Sequence, residues 1–494
     1  MHSTTLQSPS FSLTPHASAV RSMEQVEVLR ALLFSAVYYA FAHIGYWTSY
    51  DGVFVALGMA LILPAWRPYL MLLVMSVHDA PGQADPSIYV SVAGIAGMML
   101  ATGAITRNGS VIESPDDRRF RYLAMGGVML ALIGIVGSWV HQRFGLHQQL
   151  EDRPFPVVGG LIALMILIGM LCHRALERDP WLTVRLKTIC VIAVTQILVM
   201  ALLQLAFGPT FGASPAGLHA IATRLELLEG GERGVARLTG PFLSPNTLAI
   251  LPAFFMLLYL RAGRTVIISG AFILTFFTVG MTLSALGAAR SMFLYYIMAT
   301  GALMWTRSPQ RVLLLAVCCL PLLLMMDLPV DDILRSMRLQ NLESIEALGT
   351  RGLYWQCTLN NLTWQDWLLG FGLSHWPVFF QYYTGSMASD PHNWIMSMGG
   401  TYGILGLSYY CWIGWLLFKR SLSGSKKLRA TSACLLLMYF GRDLANTQYL
   451  VNNHPMTVLY WMALGTAFSF GCVHPEEFAA EADAGNQMSA GRIG

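Results

Sequence analysis

The chain has 494 residues, 55% of them hydrophobic and only 12% charged, against roughly 25% charged in ordinary soluble domains. With a mean hydropathy of +0.53, this composition excludes a soluble globular domain and reads as an all-α, polytopic membrane protein. The formal net charge of +4 identifies no partner class by itself; the positions of the charges matter more, and no nucleic-acid partner is expected.

The eight cysteines fall mostly inside apolar runs without C-x-x-C spacing, which indicates neither a disulfide framework nor a zinc site. No metal or other cofactor is expected.

In chain order, residues 1–28 read as a cytoplasmic tail. The first 20 residues are rich in Ser, Thr and Pro without a basic stretch. The apolar run after Arg30 lacks a small-residue cleavage site, so a retained helix is expected and not a signal peptide. A transmembrane domain then covers 29–473. Because a spanning helix needs about 20 apolar residues, candidate spans lie near 30–48, 86–106, 120–140, 156–173, 187–207, 245–261, 265–285, 288–306, 310–327, 393–418, 428–446 and 453–473. Pro64, Arg67 and Pro68 interrupt the region 52–78, which is either two short helices or one broken helix. The total is therefore about 12–14 spans. The stretch 474–494, acidic and Ala/Gly-rich after Pro475, reads as a disordered cytoplasmic tail.

Orientation follows from arginine and lysine in the short connections. Arg107, Arg118 and Arg119, then Arg174, Arg178 and Arg185, Arg261 and Arg264, Arg307 and Arg311, and the cluster Lys419 to Arg429 all fall on one side in the larger count. The connections at 47–52 and 79–85 carry no Lys or Arg. Both termini are therefore expected in the cytoplasm.

The opposite face then holds two long segments, 208–244 and 328–392. The second interleaves charges such as Asp331, Arg335, Arg351 and Asp366 with Trp355, Trp364, Trp367 and Trp376. That tryptophan content argues for helices resting on the membrane surface.

Five polar constellations stand out, most of them at the ends of apolar runs. RLTGPFLSPN, Arg237 to Asn246, ends where a span begins: Ser244 is a natural N-cap and Pro245 suits a first helical turn. Free amides there, with Arg237 nearby, would form an anion-binding corner; the alternative is a capped helix beside a snorkelling arginine. Arg290 lies in the tight turn of LGAARSMF, on the side where short loops avoid basic residues, and could instead bind lipid phosphate.

DPHNW, Asp390 to Trp394, places His392 and Asn393 at the mouth of a glycine-rich run. Histidine exchanges protons near neutral pH without tuning, though a histidine at a helix start is also a common polar cap. His375 and His454 are rivals. Arg351 and Trp355 sit one helical turn apart, suited to sugar or lipid head groups or to an amphipathic helix on the bilayer. Gly370 and Gly372 suggest a turn with close backbone approach. Arg442–Asp443, near the end of a span, reads as a structural ion pair.

Together these pieces resemble the bacterial O-antigen ligase and repeat-unit polymerase superfamily. The resemblance rests on R-x-x-G-x-F-x-x-P-N at Arg237 to Asn246, the arginine turn at Arg290 and R-x-x-x-W at Arg351. G-F-G at Gly370 to Gly372, and H-N at His392 followed by G-I-L-G-L at Gly403 to Leu407, complete it. It covers residues 230–420. Ala289 stands where serine usually precedes the arginine turn.

The resemblance implies a lipid-dependent (GT-C type) glycosyltransferase fold with a periplasmic cavity and no metal. It implies an inverting transferase that uses an undecaprenyl-pyrophosphate-linked glycan donor and a sugar acceptor. His392 would be the general base, Arg237 and Arg290 would hold the pyrophosphate, and Asn246, Arg351, Trp355 and Asn393 would bind substrate. Polymerisation of exopolysaccharide or O-antigen repeat units is the expected reaction. Ligation of finished chains to a lipid A-core or other acceptor is the alternative, and a transporter or lipid flippase without chemistry is a third reading. Membrane lipid, a chain-length regulator and a flippase are the expected partners.

Overall fold

The computed structural model describes residues 115–144, 155–178, 290–307 and most of 350–468, with scattered positions at 29, 33, 194–207, 249–257 and 280. The outer segment 208–244, the first part of 328–392, the region 52–78 and both tails lie outside the described residues. So do nearly all of the predicted spans near 30–48, 86–106, 265–285 and 310–327.

Among the described residues every regular element is helical. In chain order these are α1 (Pro115–Phe144), α2 (Phe155–Arg178), α3 (Arg290–Arg307), α4 (Thr350–Asn361), α5 (Trp364–Leu369), α6 (Trp376–Thr384), α7 (Trp394–Leu422) and α8 (Lys426–Leu436). A π-helical turn (Leu437–Arg442), a 3₁₀ turn (Asp443–Ala445) and α9 (Met456–Thr466) follow. The predicted spans 120–140, 156–173, 288–306 and 393–418 fall on α1, α2, α3 and α7. The 428–446 run is α-helical only as far as Leu436, and the 453–473 run is the shorter α9. Among the described residues one stretch, Asp116–His141, is long and apolar enough to cross a membrane, and Phe155–Leu171 and Met456–Thr466 are shorter apolar helices.

Two apolar clusters organise this bundle. The larger is built from α1, α2, α3, α7, α8 and α9, with Leu123, Ile166, Tyr296, Tyr410, Tyr439 and Trp461 among its sealed members. The smaller gathers Tyr354, Cys357, Leu362, Phe371, Trp376, Phe379 and Phe380 under α4 and α6. Its rings interlock, with Trp376 stacked on Phe380 at 5.3 Å and Phe371 edge-on to Trp376 at 4.7 Å. The described part of the segment 328–392 holds α4, α5 and α6, and this cluster explains why they order: each supplies or covers aromatic surface that water would disfavour.

Local chemistry sets the ends. Asp116 and Asp117 lie in the first turn of α1 and His141 and Arg143 in its last, complementing the helix dipole. Thr363 and Asp366 form a reciprocal capping box at α5. Gly385 ends α6 in a left-handed conformation.

The sharpest irregularity is inside α7, where Gly403 (φ 65°, ψ −154°) breaks the helix. A nonhelical residue there withdraws the amides that would bond carbonyls one turn earlier. The Gly370–Leu373 loop supplies replacements: Phe371 N–H donates to the Gly400 carbonyl (2.7 Å) and Gly372 N–H to that of Thr401 (3.0 Å). Leu373 N–H donates to Ser138 Oγ of α1 at 2.5 Å. A β-carbon at Gly372 would collide with the Ser138 backbone, so the close approach anticipated from G-F-G is real. It pins α7 to α1.

α1 and α7 are also joined at the far end, where Arg420 Nη2 meets Asp116 Oδ1 at 2.6 Å. The basic connections at Arg118–Arg119 and Lys419–Arg420 therefore share one end of the bundle. His392, at the start of α7, lies at the other.

Candidate active site

Asp390, Pro391 and His392 form a tight turn at the entrance to α7. The Asp390 carboxylate Oδ1 accepts the His392 backbone N–H at 2.6 Å, the side-chain-closed turn that Asp favours. This holds His392 at φ 52°, a left-handed conformation sparsely used by residues with a β-carbon. Asn393 then caps α7, its Oδ1 accepting from Ile395 N–H (2.9 Å) and Met396 N–H (3.3 Å). Asn393 is buried and spends its carbonyl oxygen on the helix.

The imidazole is held from one side. Nδ1 lies 3.0 Å from Asp390 Oδ1 and 2.8 Å from Thr447 Oγ1. Burial raises the Asp390 pKa, but the charge of His392 and hydrogen bonds from His392 and Thr447 outweigh it, so the carboxyl lies below its ordinary value. An ionised oxygen beside Nδ1 requires a proton on that nitrogen. The arrangement is self-consistent: Nδ1–H donates to the carboxylate and the Thr447 oxygen, and the Thr447 hydroxyl donates to Asp390. Nε2 then carries the lone pair and has no hydrogen-bond partner among the described residues. The Asp390 side chain is 7% exposed and that of His392 30%, so the carboxylate is enclosed while the ring is reachable. A ring oriented through one nitrogen and open at the other is the arrangement of a general base.

Two neighbours complete the site. Trp355 Nε1–H donates to the Pro391 carbonyl at 2.8 Å, tying α4 to the turn that carries His392. One turn earlier, Arg351 Nη2 donates to Asn446 Oδ1 at 3.3 Å. Asn446 precedes Thr447, which holds the imidazole. The helical spacing of Arg351 and Trp355 thus brings Trp355 to the His392 turn and Arg351 to the neighbour of Thr447.

Behind Thr447 lies a sealed polar group. Arg442 Nη1 pairs with Asp443 Oδ1 at 2.6 Å, both side chains 0% exposed. The same Nη1 donates to the Thr447 carbonyl at 2.7 Å. Tyr410 and Tyr460 hydroxyls donate to Asp443 at 3.1 and 3.0 Å, and the Arg442 guanidinium stacks over Tyr449, 5.2 Å from its centroid. The π-helical turn delivers Arg442 to this position.

The structure brings together four of the sequence-predicted residues, Arg351, Trp355, His392 and Asn393. Arg237 and Asn246 lie outside the described residues, as does the side chain of Arg290, whose backbone opens α3. The rival His375 is buried beside His141 and Phe371, with ring centroids 5.1 and 6.1 Å away. His454 is outside the described residues. Sequence reasoning gave no role to Asp390, although its position two residues before a histidine, across a proline, was a usable signal. Asn446 and Thr447 carried no local signal at all.

No protein-family model and no curated protein matches the chain.

Proposed function

We propose that this chain is an inner-membrane glycan transferase acting on undecaprenyl-pyrophosphate-linked oligosaccharide at the periplasmic face. Its reaction is polymerisation of repeat units for exopolysaccharide or O-antigen, with ligation of finished chains as the alternative use of the same donor. The observation that carries this reading is the His392 ring, oriented through Nδ1 by Asp390 and Thr447 and open at Nε2 among the described residues, with Trp355 bonded to the same turn and Arg351 to Asn446 beside Thr447.

In the proposed step Nε2 takes the proton of an acceptor hydroxyl as its oxygen attacks the anomeric carbon. The bond from that carbon to the pyrophosphate oxygen breaks, and in-line geometry inverts the configuration. A pyrophosphate leaving group needs charge neutralisation more than protonation, which guanidinium groups supply through paired N–H donors. Arg237 and Arg290 take that role by the resemblance, and Arg351, bonded to Asn446 beside Thr447, is a third cation. His392⁺ beside the Asp390 carboxylate is stabilised as the proton arrives, which lowers the barrier without moving the carboxylate.

The membrane part of the proposal draws on the length of α1. From Asp116, paired with Arg420, to Ser138, bonded to the G-F-G loop, the rise is about 33 Å at about 1.5 Å per residue, close to the hydrocarbon thickness of a bilayer. With the basic connections at one end and His392 at the other, the site faces the periplasm if those connections are cytoplasmic.

The test is glycan analysis in a deletion strain complemented with wild-type or His392→Ala protein at matched membrane levels. Single repeat units accumulating on lipid or acceptor in the deletion identify a polymerase; long chains left on the undecaprenyl carrier identify a ligase. Normal glycan from the His392→Ala strain overturns the catalytic assignment and promotes the transporter reading.

A further inference from the structure

Asn446 and Thr447 occupy a place that neither the resemblance nor the sequence motifs assign. They follow the 3₁₀ turn that ends at Ala445, and their polar atoms reach in three directions. Asn446 Oδ1 accepts from Arg351 at 3.3 Å. Thr447 Oγ1 contacts the His392 ring at 2.8 Å. The Thr447 carbonyl accepts from Arg442 at 2.7 Å, and Arg442 is itself locked to Asp443 with both side chains fully buried. The next residue adds rigidity: Gln448 donates to the Val451 carbonyl (3.0 Å) and accepts the Val451 N–H (3.1 Å).

From this geometry we infer that Asn446 and Thr447 are a pair of positioning residues, one setting the cation Arg351 and the other the base His392. The inference rests on the transferase reading for its kinetic consequences. A carboxylate alone leaves the imidazole free to pivot about the line from Nδ1 to Asp390. A second contact to Nδ1, from a hydroxyl that also bonds the carboxylate, removes that freedom, and orientation is worth large factors in rate. Thr447 must be rigid to do this, and its carbonyl is anchored to a guanidinium that cannot move without uncovering a buried charge pair. Asn446, on the same short segment, fixes the spacing between Arg351 and His392, hence between the leaving-group cation and the base.

Adjacent residues acting on different groups should separate kinetically. The experiment uses the purified full chain in nanodiscs with a radiolabelled undecaprenyl-pyrophosphate-linked oligosaccharide as donor. Thr447→Val, which keeps shape and loses the hydroxyl, is expected to lower kcat about tenfold with KM nearly unchanged. Thr447→Ser is expected to restore most of it. Asn446→Ala is expected to raise donor KM several-fold, on the order of the factor from one lost ordinary hydrogen bond, with kcat within about twofold. If both variants move kcat and KM together, or serine fails to rescue, the inference is overturned.

A readout without substrate separates failure of this inference from failure of the transferase reading. In ¹⁵N-histidine-labelled protein, the Nδ1–H signal, assigned by its loss in His392→Gln, is expected in wild type and Thr447→Ser. In Thr447→Val it should broaden into exchange with water. Wild type inactive toward the glycan donor but showing this pattern sinks the transferase and keeps the positioning role. An unchanged Nδ1–H signal in Thr447→Val sinks the positioning role whatever the activity.

Discussion

Two acid–base pairs stand on either side of Thr447, and they differ in one physical respect. Asp390–His392 has an enclosed carboxylate and a ring 30% exposed, whereas Arg442–Asp443 is 0% exposed on both sides. The first can exchange a proton with something outside the protein. The second is closed off by the Tyr410 and Tyr460 hydroxyls and has only structural consequences available to it. Charge pairs of similar length, 3.0 Å and 2.6 Å, therefore carry different roles, and exposure decides which. On the proposed reading the contrast also explains why they are neighbours: a base that must hold one orientation needs a wall that does not yield.

The comparison can be broken most decisively by exchanging the consequences of removing each pair's cation. His392→Ala should reduce transfer by about 10²–10⁴-fold, the range for loss of a positioned general base, while the unfolding midpoint in detergent falls by less than in the variant that opens the sealed pair. Arg442→Met should do the reverse in kind: it leaves Asp443 buried without its partner and should cost about 3–5 kcal/mol of stability, read as lower folded yield and earlier unfolding. If Arg442→Met folds like wild type, the sealed pair is not the anchor described above.

A smaller effect is expected at Asp390. Asp390→Asn keeps the turn's shape but removes the charge that selects the Nδ1–H form of the ring, and turnover should fall by about 10–10²-fold, the range for loss of a group orienting a reactive histidine. Activity within twofold of wild type would show that Thr447 alone selects the tautomer. The same carboxylate predicts an acid limb of stability. Its folded-state pKa is depressed, so its contribution is fully present above the unfolded carboxyl value, about 3.9, and is lost as pH falls through the lower folded value. Unfolding midpoints of wild type and Asp390→Asn should therefore converge as pH falls below about 4. A constant difference down to the acid limit would remove Asp390 as the cause.

The smallest effect belongs to Trp355→Phe, which deletes one hydrogen bond to the Pro391 carbonyl and keeps most of the ring. About 0.5–1.5 kcal/mol of stability is expected to go, visible as a modest shift in unfolding. A loss above about 3 kcal/mol would mean that Trp355 does more than tie α4 to the His392 turn.

Much of this was written in local sequence. Hydropathy runs marked α1, α2, α3 and α7 because a helix that buries apolar side chains along its length needs little else to declare itself. The i, i+4 spacing of Arg351 and Trp355 carried to one face of α4, since helical geometry is local. Asn393 at a helix mouth and the glycines of G-F-G were legible for the same reason: a cap and a close backbone approach each need particular residue types.

Other features depended on residues far apart in the chain. The break at Gly403 is stable because the Gly370–Leu373 loop supplies amides to the Gly400 and Thr401 carbonyls, and a glycine in a glycine-rich helix does not announce such a partner. The 428–446 run has the composition of a continuous span, yet it winds into a π turn at Leu437–Arg442, where Arg442 meets its buried partners. Thr447 meets His392 across 55 positions, and no spacing rule links them. The sequence alone determined the helical class, the positions of α1, α2, α3 and α7 and the residue types able to do acid–base and anion chemistry, because these follow from periodicity and side-chain character. Tertiary structure alone decided which acid orients the base, which hydroxyl steadies it and which charge pair is sealed, because burial and contact are properties of the packed chain.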